Sequence, residues 1–201
     1  MRNTVRLLGL AILFAPLVLA QSKKIEVTDL PSHPFQVSFP SGSQLKVNLR
    51  SGDFRLIGRE DDKITVRVEA KDPVKAKKIK VGFQRFDQSA ELNISGGPKN
   101  DVQITVEIPR STGLFVRMPA GQLELRDITG DKDVRLHAGE LIVGVGNPAD
   151  YSHVEASVTT GGLEAAPFGE SHGGLFRSFH KESSGKYKLV AHVGAGDLTL
   201  R

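Results

Sequence analysis

Hydrophobic and polar residues alternate along much of this chain with a period of two. Ile64, Val66 and Val68 alternate with Lys63, Thr65, Arg67 and Glu69, and Val102, Ile104, Val106 and Ile108 alternate with Gln103, Thr105 and Glu107. A strand sends successive side chains to opposite faces, so these runs predict half-buried strands. Pro109 closes the second run, and Ser95-Gly96-Gly97-Pro98-Lys99-Asn100-Asp101 is a turn cluster before it. Only residues 72–80, with Pro73 near their start, predict a helical turn or two.

A repeat is superimposed on this alternation. Gly52, Gly121, Gly139, Gly161 and Gly196 each follow a small residue: Ser51, Ala120, Ala138, Thr160 and Ala195. Five and three residues before each glycine, and two and four after it, the chain reads Val47, Leu49, Phe54, Leu56; Val116, Met118, Leu123, Leu125; Val134, Leu136, Leu141, Val143; Ala156, Val158, Leu163, Ala165; and Ala191, Val193, Leu198, Leu200. All of these positions are apolar, where a composition of 39% hydrophobic residues supplies about eight of twenty by chance.

The step across the glycine is five, an odd number, which in a flat strand would switch faces. Keeping all four side chains in one core requires the chain to bend or bulge at the small-residue/glycine pair, and glycine tolerates the backbone such a corner needs. The five corner glycines therefore mark strand–corner–strand units. From Gly121 onward they follow at spacings suited to rungs of a β-solenoid, with an insertion or degenerate rung expected around residues 169–185. The fold expected is all-β: a single-stranded, β-helix-like solenoid with a more antiparallel part over residues 24–108, the alternative being a β-sandwich. Leu198 and Leu200 are core-type positions with no cap sequence after them. The last strand is thus expected to pair with another protomer or partner, or to be covered by the N-terminal part.

Arg2 and Arg6, an apolar run from Leu7 to Ala15 broken only by Gly9, Pro16, and Val18-Leu19-Ala20 form the three-part layout of a secretory signal. Residues 1–20 are expected to be that signal and residues 21–201 a single domain, exported to the periplasm or cell surface. Arg2 and Arg6 contribute half of the formal net charge of +4, so the basic balance argues little for an anionic partner. The absence of cysteine removes thiol catalysis, thiolate metal sites and disulfides.

Candidate chemistry is sparse. Asp127, Asp131 and Asp133 could pair for glycoside hydrolysis or hold Ca²⁺, but they also read as turn formers. The histidines, His33, His137, His153, His172, His180 and His192, lack the spacing of a zinc motif. His192 falls on an outward strand position with Arg117, Arg135 and Ser157, and His137 at a corner. Lys75, Lys77, Lys78 and Lys80, with Lys71, are the candidates for an anionic surface. With only Phe83 and Phe86 nearby, no nucleic-acid platform is expected. No cofactor and no catalytic or metal-binding residues are expected.

Val47-Asn48-Leu49-Arg50-Ser51-Gly52-Asp53-Phe54-Arg55-Leu56, Val106-Glu107-Ile108-Pro109, the Ala-Gly-x-Leu units and the segment from Gly185-Lys186-Tyr187 to Gly196-Asp197-Leu198 resemble the bacterial putative-adhesin family, a domain of unknown function related to autotransporter-adhesin head domains. Gly173-Gly174-Leu175-Phe176-Arg177-Ser178-Phe179 also resembles its C-terminal portion. The resemblance implies an extracytoplasmic β-solenoid. Its motifs are structural, and fold alone does not set function. The expectation is a non-catalytic adhesin, envelope scaffold or ligand-display module, meeting envelope polysaccharide or a protein partner. The alternatives are a carbohydrate-active β-helix enzyme and a periplasmic regulatory partner.

Overall fold

The computed structural model describes residues 24–201. The expected targeting segment, residues 1–20, lies outside the described residues. The described residues are all-β, with thirteen strands in one open mixed sheet. In chain order they are β1 (Lys24–Val27), β2 (Phe35–Ser38), β3 (Gln44–Leu49), β4 (Gly52–Arg59), β5 (Lys63–Ala70), β6 (Ile79–Arg85), β7 (Ser89–Gly96), β8 (Val102–Pro109), β9 (Gly113–Arg126), β10 (Lys132–Val143), β11 (Tyr151–Ala165), β12 (Glu170–Glu182) and β13 (Tyr187–Leu200). The helical pattern after Lys71 becomes one short helix, α1 (Pro73–Ala76), capped by Asp72 through the amides of Val74 and Lys75.

β9, β10, β13 and β11 lie side by side in parallel, with the repeat in register. Gly121 pairs with Gly139 and Gly139 with Gly196, while Ala156 faces Ala191 and Leu163 faces Leu198. At the other end β3 and β4 act as one bent unit, β3 pairing with the first half of β9 and β4 with the second, so Gly52 sits beside Gly121. The corner glycines thus form a column in the order Gly52, Gly121, Gly139, Gly196, Gly161.

The column explains the glycines. Their φ angles run from 124° to 152°, where residues with a Cβ are strained. A Cβ on Gly121, Gly139, Gly196 or Gly161 would also stand about 2 Å from the carbonyl oxygen of the neighbouring glycine in the column. The bend works as the spacing requires, because all twenty flanking apolar residues are buried.

Two features depart from a solenoid wound in chain order. β13 lies between β10 and β11. The expectation that the last strand pairs with another protomer or partner, or is covered by the N-terminal part, is therefore corrected: β13 pairs with β10 on one side and β11 on the other, and Leu198 and Leu200 are buried. The segment expected as a degenerate rung is β12, which turns back antiparallel along β11 and forms the sheet edge. The chain then crosses the start of β11 to reach its far side. Lys186 N donates to Asp150 O at 2.8 Å and Ser183 N to Ser152 O at 2.9 Å. Gly185 passes so close that a Cβ there would lie 2.4 Å from the Tyr151 carbonyl carbon.

Beyond β9 the sheet divides. One wing continues through β3, β7, β6 and β1, the other through β4, β8, β5 and β2. The inward side chains of both wings belong to one core, which includes Phe35, Phe39, Phe54 and Phe83. This half has the facing-sheet character of a sandwich.

Candidate functional site

The outward positions of the bent strands build continuous rows. Four residues before each glycine, the pairing aligns Asn93, Asn48, Arg117, Arg135, His192, Ser157 and Ser178 across β7, β3, β9, β10, β13, β11 and β12. At about 4.8 Å per strand the row is about 29 Å long. Its side chains are half-buried or exposed and largely fixed. Asn48 Nδ2 donates to Asn93 Oδ1 at 2.8 Å, and Arg117 holds Asp133 through two bonds of 3.0 and 3.1 Å. Arg135 lies 3.7 Å from the same carboxylate, and Ser157 Oγ meets His192 Nδ1 at 2.9 Å. A shallow groove of about 390 Å³ runs along the middle of the row, bounded by Asn48, Arg117, Arg135, His137 and His192. The sequence placed Arg117, Arg135, Ser157 and His192 on this outward face and His137 at the corner, and both placements hold.

Past the corner a second row follows: Gln103, Asp53, Gln122, Glu140 and Asp197. Amides alternate with carboxylates from Gln103 to Glu140, and Gln103 donates to Asp53 at 3.0 Å and Gln122 to Glu140 at 3.3 Å. At the far end the Asp197 carboxylate accepts from Gly162 N at 2.9 Å.

The residues singled out from sequence are dispersed. Lys75 sits 3.4 Å from Asp72, Lys77 3.4 Å from Asp29 and Lys80 3.8 Å from Glu26, while Lys71 pairs with Asp101 at 2.8 Å. Lys78 is exposed just after α1. The three aspartates also separate. Asp127 takes a left-handed turn conformation, Asp131 accepts the Lys188 amide at 2.8 Å, and Asp133 serves Arg117.

Two constellations escaped the sequence reading. Lys132 is fully buried, its Nζ 2.5 Å from the Tyr151 hydroxyl and 3.3 Å from Gly130 O, while that hydroxyl donates to Val145 O at 3.0 Å. Burial lowers the Lys132 ammonium to a pKa of about 8 and raises the Tyr151 phenol to about 12. A signal was present. Seven residues before each corner glycine the chain reads Leu45, Leu114, Lys132, Val154 and Leu189, a single lysine in an apolar row. The second constellation, His153, His180 and Glu182, joins ligands far apart in sequence across the β11–β12 pair.

The fold is an open, mixed all-β sheet folded along a column of glycines. Among solved structures the chain is similar to one from Clostridium sporogenes described as a putative cell adhesion protein. The two are 13% identical, with 90% of this chain and 99% of that one covered and a TM-score of 0.50. A Bacteroides fragilis structure described as a putative adhesin aligns at 10% identity over 89% of this chain and 97% of its own, with a TM-score of 0.30. No protein-family model and no curated protein matches the chain. The first likeness is one of fold.

Proposed function

We propose that this chain is an exported, non-catalytic surface module. It uses a short solenoid-like stack as a rigid frame for recognising a linear envelope polysaccharide. One observation carries the reading: the straight row of hydrogen-bonding side chains from Asn93 to Ser178, fixed at strand spacing along a shallow groove. An extended polymer of hydroxyl-bearing units meets such a row along its length. The guanidinium of Arg135 and the amide of Asn93, held in place by Asn48, supply directional donors. The charged and apolar pattern of residues 1–20 supports export. The likeness of fold to a protein described as a putative cell adhesion protein agrees with a surface role.

The test is binding of the purified chain to an array of bacterial envelope polysaccharides, with reducing ends assayed in parallel. The expected result is retention of at least one linear glycan without cleavage. Replacing Arg117 and Arg135 with alanine together should weaken it about tenfold or more. Unchanged binding in that variant, or release of new reducing ends, rejects the proposal. Fractionation of cells expressing the full chain tests export.

A further inference from the structure

The edge of the sheet carries a further cluster on the outward face, beginning two residues beyond Ser157 and Ser178 of the row described above. β12 runs antiparallel to β11 with His153 opposite Glu182 and Glu155 opposite His180. Residues two apart on a strand share a face, so all four side chains project from the same side of the pair. The cluster is assembled only by this register, since its two strands are joined through the turn at Ala166–Phe168.

The contacts are specific. His153 Nδ1 lies 2.7 Å from Glu182 Oε1, and His180 Nε2 lies 3.2 Å from the same oxygen. The two imidazoles meet edge to face, with ring centres 5.0 Å apart and planes at 72°. One ligand atom from each of His153, His180 and Glu182 falls within 4.8 Å of the others. A zinc ion with bonds of about 2.0–2.1 Å needs its ligand atoms about 3.3 Å apart. Small rotations of exposed side chains on a fixed backbone supply that closure. The other ring nitrogen of His153, Nε2, has the Glu155 carboxylate at 3.8 Å, an ion-pair distance that a small side-chain rotation closes to a hydrogen bond. A carboxylate behind a ligating imidazole fixes its tautomer and orientation.

We propose that His153, His180 and Glu182 bind a divalent transition-metal ion, with zinc as the type, and that Glu155 positions His153. Two imidazoles and one carboxylate form a borderline donor set that favours zinc, copper or nickel over calcium and magnesium. The fourth coordination position faces solvent. Because the ligands come from both strands, the bound ion ties the edge strand β12 to β11.

The experiment uses the full chain without a polyhistidine tag, stripped with EDTA, and titrated calorimetrically with ZnCl₂, MgCl₂ and CaCl₂. The expected result is about one equivalent of zinc bound, no binding of magnesium or calcium, and a melting temperature that rises with zinc concentration. H153A and H180A should each weaken zinc binding about a hundredfold or more, and E155Q about tenfold. H192A, on the glycan-binding row, should leave zinc binding unchanged. Each variant's melting temperature in EDTA is compared with that of the wild type. If H153A melts early, H180A and E182Q, on the exposed edge, carry the test. No heat of binding with excess zinc, or full affinity retained in H180A, overturns the proposal.

Discussion

The two halves of the sheet solve the same packing problem differently. In the C-terminal half, β9, β10, β13 and β11 stack in parallel on one column of glycines. Their inward residues are mostly leucine and valine, and alanine at Ala156, Ala165 and Ala191 where the stack reaches β11. In the N-terminal half the corner is cut between β3 and β4, the wings separate, and phenylalanines at Phe35, Phe39, Phe54 and Phe83 fill the space. Interiors pack to near-crystalline density, so inward side-chain volume sets how far apart two facing layers lie. The glycine column keeps the wings joined, and the aromatic core holds them apart beyond it. The comparison also separates two kinds of constraint. In the stack the limiting contacts are backbone against backbone, whereas in the wings they are side chains that can be repacked.

The largest effect should distinguish an interior corner from the terminal one. In Gly139→Ala the new methyl group meets the Gly121 carbonyl at 2.0 Å with no flexible atom to move, on a backbone with φ of 126°. A loss of about 4 kcal/mol or more is expected in urea unfolding. Gly52→Ala meets nothing nearer than an Arg50 side-chain nitrogen at 3.2 Å and should cost about 1–2 kcal/mol, mostly backbone strain. Equal losses would mean that the column is not what fixes the corner.

The buried lysine comes next, because its ammonium is bonded to neutral groups in the stack, whereas the buried charge of the wing, Glu107, is paired with two arginines. With a folded-state pKa of about 8 against an ordinary 10.5, Lys132 imposes its full burial cost at neutral pH. Between pH 8 and 10.5 the unfolded chain binds more protons than the folded one, so stability should climb by about 3 kcal/mol. Tyr151, raised to about 12 from 10, acts in the opposite sense: above pH 10 the unfolded chain gives up the phenol proton first and stability falls. Unfolding free energy measured against pH should therefore peak near pH 10. Lys132→Met should abolish the rise and add about 2 kcal/mol at pH 7.

The smallest effect belongs to the wing. Glu107 accepts from Arg59 at 2.6 Å and Arg67 at 2.5 Å, linking β4, β8 and β5, but both arginines are half exposed. Glu107→Gln should cost about 1 kcal/mol in the same unfolding assay, and less in high salt.

The sequence revealed which residues face inward but not which strands are neighbours. The bend at Gly52, Gly121, Gly139, Gly161 and Gly196 could be read because an odd step between apolar pairs allows one geometry. The order of stacking could not, because β10, β11 and β13 carry the same apolar pattern, and any of them satisfies the register of any other. Of the two readings of residues 169–185, an insertion or a degenerate rung, the antiparallel β12 fits the first, and no parallel repeat marks its direction. His153, His180 and Glu182 stayed hidden for the same reason, since only an antiparallel turn near Pro167 brings them together. Lys132 was missed because the repeat was followed to five residues before the glycine and no further.

The position of β13 has a consequence for biogenesis. A chain emerging from a ribosome delivers β10 and β11 well before the 14-residue strand that belongs between them. Until that strand arrives, the two must be held apart or must pair wrongly, so the C-terminal half cannot mature stepwise from its N-terminal side. Assembly there waits for β13, so a chain cut short before that strand has no route to the native state.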